Sequence, residues 1–285
     1  VIGMLTTLTG AAALAGLAGA GVLAQRAHRR DAAQRQRVWR ELEALRAPDP
    51  PHFDPAMTQD LPEPARHYFA RAIAPGAPLH RLVSLEMDGE FILNGAVLAM
   101  RAREILAPPG RGFVWQAAIG TGLTAFAGSD GYRWSASQDE SWTKFWLYGL
   151  VPLVRTAPSQ DHARAAATRA MLESVWAPAS LLPQFGAQWT QTGDRSAEIR
   201  FPGSPDPGPM HVSLDGAGDL VEVSAMRWSN ANPEGTYRLQ PFGGRMLETD
   251  VFQGFRIPTR VELGNQWGRP DYAPFFRATI RRAVY

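Results

Sequence analysis

VSLEMDGEFILNGAVLAMRAREIL, residues 83–106, carries the pattern that decides the fold. Val83, Leu85 and Met87 alternate with Ser84, Glu86 and Asp88, the period of two expected of a strand with one buried and one solvated face. Asn94-Gly95 follows, a pair that accepts the positive φ angles of a two-residue hairpin turn. Residues 97–106 alternate in return, so the segment reads as an antiparallel hairpin. On the second arm Glu104 falls with Met100 and Ala102, opposite Arg101 and Arg103, which turns a carboxylate toward the apolar side.

Working outward, strand patterns recur at 112–119, 122–127, 131–136 and 142–148, with Asp130-Gly131 read as a hairpin turn. DHARAAATRAMLESVW, residues 161–176, is Ala-rich with Asp161 as a candidate cap and predicts a helix. Strand patterns return at 187–192, 196–201, 209–214, 219–228, 235–240, 244–252, 255–265 and 273–284. Asp215-Gly216 and Gly243-Gly244 read as turns between them, and Pro202 to Pro209 as a longer loop. Upstream, Asp60 is a candidate cap for the helix LPEPARHYFARAIA, which Pro75-Gly76 stops. About 14 strands and two helices predict an α+β fold, a strongly curved antiparallel β-sheet forming a half-barrel or open barrel with helices packed on it. Two tandem sheets are the alternative.

The amino-terminal part has a different character. Residues 1–24 hold no charged side chain, and six arginines lie between Arg26 and Arg40. At about 1.5 Å per residue such a helix reaches roughly 36 Å, enough to cross a hydrocarbon core of about 30 Å. The expected organisation is a transmembrane anchor at 1–24, a basic helical stalk and Pro-rich linker at 25–59, and the β-domain at 60–285. Arginines after the apolar run favour a single pass with the C-terminal domain in the cytoplasm. A cleaved signal at Val22-Leu23-Ala24, with a periplasmic or extracellular domain, is the competing expectation. Ala12 with Gly16 and Ala15 with Gly19 offer two such helices a close-packed homodimer face, although an Ala/Gly-rich run without a partner is simpler. Gly19 to Ala24 spells G-x-G-x-x-A, but no strand precedes it, so it is not a dinucleotide fingerprint.

Charge and composition exclude several functions. The net positive charge resides in the first 47 residues; the remainder is slightly acidic in net charge and lacks a basic run, so no footprint for nucleic acid is expected. Cysteine is absent, which rules out disulfides, thiolate metal sites and a thiol nucleophile. Lys144 is the single lysine. The six histidines are scattered without metal-ligand spacing and Ser129 stands outside a nucleophile elbow, so no metal or cofactor is expected.

Candidate site residues come from buried acids and clustered aromatics. Glu86, Asp88 and Glu90 share a strand face that reads as solvated, whereas Glu104 points inward. Glu173 lies one turn before Trp176 on a helix of small residues, placed to meet an arginine or a ligand headgroup. Trp142, Trp146 and Tyr148 share one strand face with Lys144, and Phe113, Trp115 and Ala117 share another. Such aromatics line large apolar pockets, and they equally fill the core of a curved sheet. The candidate ligand-binding set is therefore Glu104, Trp115, Trp142, Trp146, Tyr148, Glu173 and Trp176.

LPEPARHYF (61–69), GFVWQA (112–117), YGLVPLV (148–154), ESVWAPASLLP (173–183) and FQGFRIPTRVE (252–262) together resemble a bacterial family of unknown function whose members carry an N-terminal membrane helix. The last of these, with the order meander, helix, meander, is also similar to the bacterial lipoprotein-carrier half-barrels. That resemblance implies a curved sheet over helices with acyl chains held between. The leading expectation is a membrane-anchored, non-enzymatic domain that buries a lipid or other hydrophobic molecule, with Glu104 or Glu173 facing its polar head. The alternatives are a hydrolase-like enzyme acting on a membrane-derived substrate through those carboxylates, and a structural or interaction module.

Overall fold

The computed structural model describes residues 2–108, 110–135, 139–202 and 207–285, with side chains described from residue 19 onward. Thirteen strands form one sheet. The first half comprises β1 (Val83–Leu93), β2 (Ala96–Ala107), β3 (Gly112–Ile119), β4 (Phe126–Arg133), β5 (Glu140–Leu147) and β6 (Val151–Arg155). The second comprises β7 (Gln188–Gly193), β8 (Ser196–Arg200), β9 (Met210–Leu214), β10 (Leu220–Ser229), β11 (Arg238–Phe252), β12 (Phe255–Asn265) and β13 (Ala273–Val284). The order is β6-β5-β4-β3-β2-β1-β13-β12-β11-β10-β9-β8-β7. The hairpin of residues 83–106 is its hub, because β1 pairs with β2 on one side and with β13 on the other. The two meanders are thereby one antiparallel sheet, and the tandem-sheet alternative falls.

Helix α3 (Gln160–Leu172) connects the two halves and packs against β10 as well as β4 and β5. In a flat sheet β4 and β10, seven strand spacings apart in this order, would stand about 34 Å from each other. A helix is only about 10–12 Å across. One helix touches both because the sheet curls around it as an open half-barrel, leaving β6 and β7 as edges. The concave face carries the main core, including Leu85, Met87, Phe113 and Ile257. It is closed by helix α2 (Glu63–Ala72), α3 and the short 3-10 turns between Glu173 and Phe185.

The convex face over β2 to β5 is covered by helix α1 (Ile2–Glu43). Val38 and Leu42 pack there with Leu82, Ile105, Val114 and Trp142 in a second, smaller core. Asp31, on the same helix face, fastens the helix to the sheet: it accepts from Trp146 Nε1 at 3.1 Å and from Arg155 through both carboxylate oxygens at 3.0 Å, and Lys144 Nζ stands 3.0 Å away. Further along, Arg37 meets Glu140 at 2.6 Å. The stalk expected at 25–59 is thus docked, not free. The Pro-rich linker is held too: Phe53 is buried and exchanges backbone hydrogen bonds with Gly76 and Ala77.

Alternate turns of a meander lie at one end of its sheet, which groups the turns at 94–95, 120–125 and 148–150. Tyr148 Oη donates to the Gly122 carbonyl at 3.2 Å between two of them. Helix α1 points its N-terminus toward the same end, since His28 sits edge-on to Trp146 near the 148–150 turn while Arg37 sits at the start of β5. Residues 19–23 continue beyond as exposed helix. Among the described residues no helix is long and apolar enough to cross a membrane. The side chains of residues 1–18, and with them most of the expected anchor and its dimer face at Ala12, Ala15 and Gly16, lie outside the described residues.

Several local expectations are corrected. Asp130-Gly131 is no turn but the middle of β4, where glycine is needed because a Cβ at 131 would stand 2.3 Å from the Trp142 ring. Gly243-Gly244 likewise lies within β11; a Cβ at 244 would approach the Glu262 carbonyl oxygen to 1.8 Å. These mergers remove two strands from the expected set, and the edge strand β6 adds one. Residue 136 and residues 203–206 of the expected strand and loop lie outside the described residues. Ser159, not Asp161, caps α3 by accepting from the His162 N–H. Helix α2 begins after Pro62 without a side-chain cap, so Asp60 does not serve there.

Candidate functional site

A cavity of about 330 Å³ lies between the concave face and the chain running from α3 into the 3-10 turn Glu173–Trp176. That volume falls at the lower end of ligand pockets, roughly 300–1,000 Å³. Its walls are apolar: Phe91, Trp115, Phe126 and Phe145 from the first meander, Phe242, Phe275 and Phe276 from the second, and Leu172, Val175 and Trp176 from the helical side. Strand alternation produces this, because each strand donates every second side chain to the concave face. Leu93, Leu153 and Val154 line the cavity yet remain 44%, 48% and 43% exposed, so the space opens beside the β1–β2 tip and edge strand β6.

Polar groups enter the wall at one place, from Asp130, Thr143, Arg169, Glu173 and Arg227. Arg169 is its centre. Its Nε donates to Glu173 at 2.6 Å, one helical turn on, and its NH1 to Asp130 at 2.6 Å, while Glu104 Oε1 stands 3.5 Å from NH2. The same guanidinium lies over the rings of Phe113 and Trp115, at 4.4 and 5.3 Å from their centroids. Thr143 donates to Asp130 at 2.9 Å and lies 3.0 Å from His162 Nε2. Since the hydroxyl proton goes to Asp130, the ring nitrogen is the donor of that second bond.

Burial sets the protonation states. Burial first, then the neighbouring Glu173 charge, lifts Glu104 well above its ordinary value of 4.5 against the pull of Arg169. Glu173 is also raised by burial, less so because Arg169 pairs with it. Two carboxyls beside one another in a dry site favour sharing one proton, and the stronger upward shift puts it on the Glu104 side of the pair. Burial works against the charge of Arg169, but the Glu173 and Asp130 carboxylates, each at 2.6 Å, hold it cationic above the usual arginine value. Arg227 has the opposite balance: burial and the Arg169 charge lower it. Burial lowers His162 below 6.5, keeping the ring neutral near neutral pH.

The structure brings together four of the seven residues singled out from sequence. Trp115, Glu173 and Trp176 line the cavity. Trp176 is fixed by donating to the Pro258 carbonyl at 3.0 Å while its own carbonyl accepts from Tyr285 Oη at 2.7 Å. Glu104 is fully buried on the concave side, but behind the cavity wall, where it supports Arg169 and Glu173. The other three do not join them. On β5, Thr143 and Phe145 take the concave positions, so Trp142 and Trp146 turn to the convex face and pack under α1. Tyr148 sits in the turn at the strand end, 57% exposed. Glu86, Asp88 and Glu90 form surface ion pairs with Arg282, Arg281 and Arg277.

Sequence reading missed Asp130, Arg169 and Arg227. Arg169 carried a readable signal, since it precedes Glu173 by four residues on a helix. Arg227 carried one too, because it follows Val223 and Ala225 at strand spacing. Chemically the arrangement offers an apolar space with one polar end. Among the described residues no three His, Asp or Glu side chains are grouped to hold a metal ion.

A family model described as a family of unknown function, DUF6544, matches residues 51–278. No curated protein matches the chain. Solved structures with a similar outline include a LolA superfamily protein from Nitrosomonas europaea, 11% identical over 71% of this chain and 84% of that one, with a TM-score of 0.35. Another is a DUF1329 family protein from Desulfovibrio piger, 9% identical over 72% and 85%, with a TM-score of 0.42.

Proposed function

The chain belongs to the DUF6544 family, whose function is unknown, and from its own site we propose that it is a membrane-anchored, non-enzymatic binding protein that holds a lipid or another hydrophobic molecule between the sheet and α3. The observation that carries this reading is the cavity itself: about 330 Å³, walled by aromatic and aliphatic side chains and polar only where Asp130, Thr143, Arg169, Glu173 and Arg227 meet. An apolar body fits the walls, and a polar head fits that one end. Glu173 lines that polar end, while Glu104, one layer behind, keeps Glu173 and Arg169 in place.

The anchor reading has support from the arrangement of one end of the sheet. Within the uncharged run, residues 2–24 belong to helix α1, which runs past the same end at which the cavity opens. Exposed apolar side chains crown that end: Leu123 at 88%, Leu150 at 55% and Val97 at 56%. A lipid leaving a bilayer beside the anchor would meet the cavity mouth without crossing water. The arginines that follow the run favour the cytoplasmic side; alkaline phosphatase activity from a fusion at Tyr285 would overturn that orientation.

The binding reading is tested by delipidating the purified protein and adding back lipid. A ligand at a hundred times its Kd stabilises the folded state by about 2.7 kcal/mol, roughly 5–10 °C in Tm for a domain of this size. No rise with any membrane lipid, together with no lipid in the organic extract of the protein as purified, refutes it.

A further inference from the structure

We infer that the molecule held in the cavity carries an anionic head, a carboxylate or a phosphate, and that Arg227 on β10 is its partner. The inference rests on the binding reading above and names the charge of the ligand that the reading leaves open. Arg227 lines the cavity alongside Val223 of the same strand face. Its Nε donates to the Ala165 carbonyl at 3.3 Å, and its guanidinium lies over Phe242 at 4.9 Å. Those two contacts hold the plane of the group and leave the four N–H bonds of its terminal nitrogens unused. Among the described residues no carboxylate lies within 4.0 Å of it: the two acids of the cavity wall, Asp130 and Glu173, are each taken by Arg169 at 2.6 Å.

The two arginines of this wall are therefore not equivalent. Arg169 is ringed by three carboxyls and has a structural task. Arg227 is a half-buried cation whose proton affinity is lowered by desolvation and by the Arg169 charge, at the polar limit of an apolar space. A cation facing an apolar space favours an anionic partner there, and a forked carboxylate or phosphate is the geometry that matches its two terminal nitrogens. Asp130 and Glu173 repel an anion from the Arg169 side, which directs the head to Arg227. A neutral or cationic head would leave Arg227 unpaired.

The test is titration calorimetry on the delipidated full chain near neutral pH with decanoate and with decanol, which share a chain and differ in the head. Charge-assisted hydrogen bonds predict decanoate binding about tenfold tighter. The preference should vanish in Arg227→Met and persist in Arg227→Lys, which keeps the charge. Decylphosphate, run in parallel, separates a phosphate preference from a carboxylate one; either supports the inference. Equal binding of decanoate and decanol by the unaltered protein overturns the inference while leaving the binding reading intact. Binding of neither overturns both. A preference for the acid that survives in Arg227→Met assigns the head elsewhere and also overturns it.

Discussion

Replacing Glu104 with glutamine tests the electrostatics of the polar cluster. Glu104 is fully buried on β2, beside Glu173 and Arg169. In the unfolded chain it is an ordinary carboxyl; in the fold it keeps its proton well above its free value of 4.5. A folded-state pKa above the unfolded one means that the native chain binds a proton the unfolded chain releases. The contribution to stability is complete below the unfolded value. It is lost at about 1.4 kcal/mol per pH unit as pH rises, until the folded value is passed. Glu104→Gln preserves the size and the donor toward Glu173 and abolishes the titration. Relative to the parent, the variant should therefore gain about 1.4 kcal/mol per pH unit upward from about 4.5,. Each kcal/mol is worth about 2–4 °C in Tm. Urea melts of both proteins across a pH series give the difference directly. Parallel stability curves from pH 4.5 upward would mean that Glu104 ionises in the folded protein as freely as in water, and would refute the shared-proton arrangement.

Three further outcomes are expected. Gly131→Ala should destabilise by about 1–3 kcal/mol, the range for overpacking a filled site, because the new methyl meets the Trp142 ring at 2.3 Å; an unchanged denaturation midpoint would contradict the close approach. Val223→Phe, which fills the cavity from the sheet side, should weaken decanoate binding at least tenfold with little loss in Tm, as calorimetry and thermal melts would report. Leu123→Asp with Leu150→Asp, at exposed tips beside the cavity mouth, should slow lipid transfer from vesicles to the protein while leaving its binding of dispersed decanoate unchanged.

The architecture was legible where side chains alternate cleanly. The 83–106 segment revealed the hairpin around which the sheet is built, and the inward turn of Glu104 followed from its place with Met100 and Ala102. Where glycine sits inside a strand, the same rules misled. Asp130-Gly131 and Gly243-Gly244 look like turns because glycine usually marks them, yet here it clears space for a tryptophan ring and a neighbouring carbonyl. That misreading hid Asp130, one of the acids on Arg169. The direction of Trp142 and Trp146 was hidden for a different reason. Alternation reports that two residues share a face, not which face is concave, and a docked amphipathic α1 made the convex side of β5 apolar as well. Asp130 meets Arg169 across 39 positions of sequence, and no local pattern encodes such a pair.

The most direct test of a cavity that holds a hydrophobic molecule is mass spectrometry of the organic extract from the protein as purified, compared with that from Val223→Phe. A lipid present in near-stoichiometric amount in the parent and depleted in the variant is the expected result. An extract free of lipid in the parent, or the same lipid at the same level in both proteins, would contradict it.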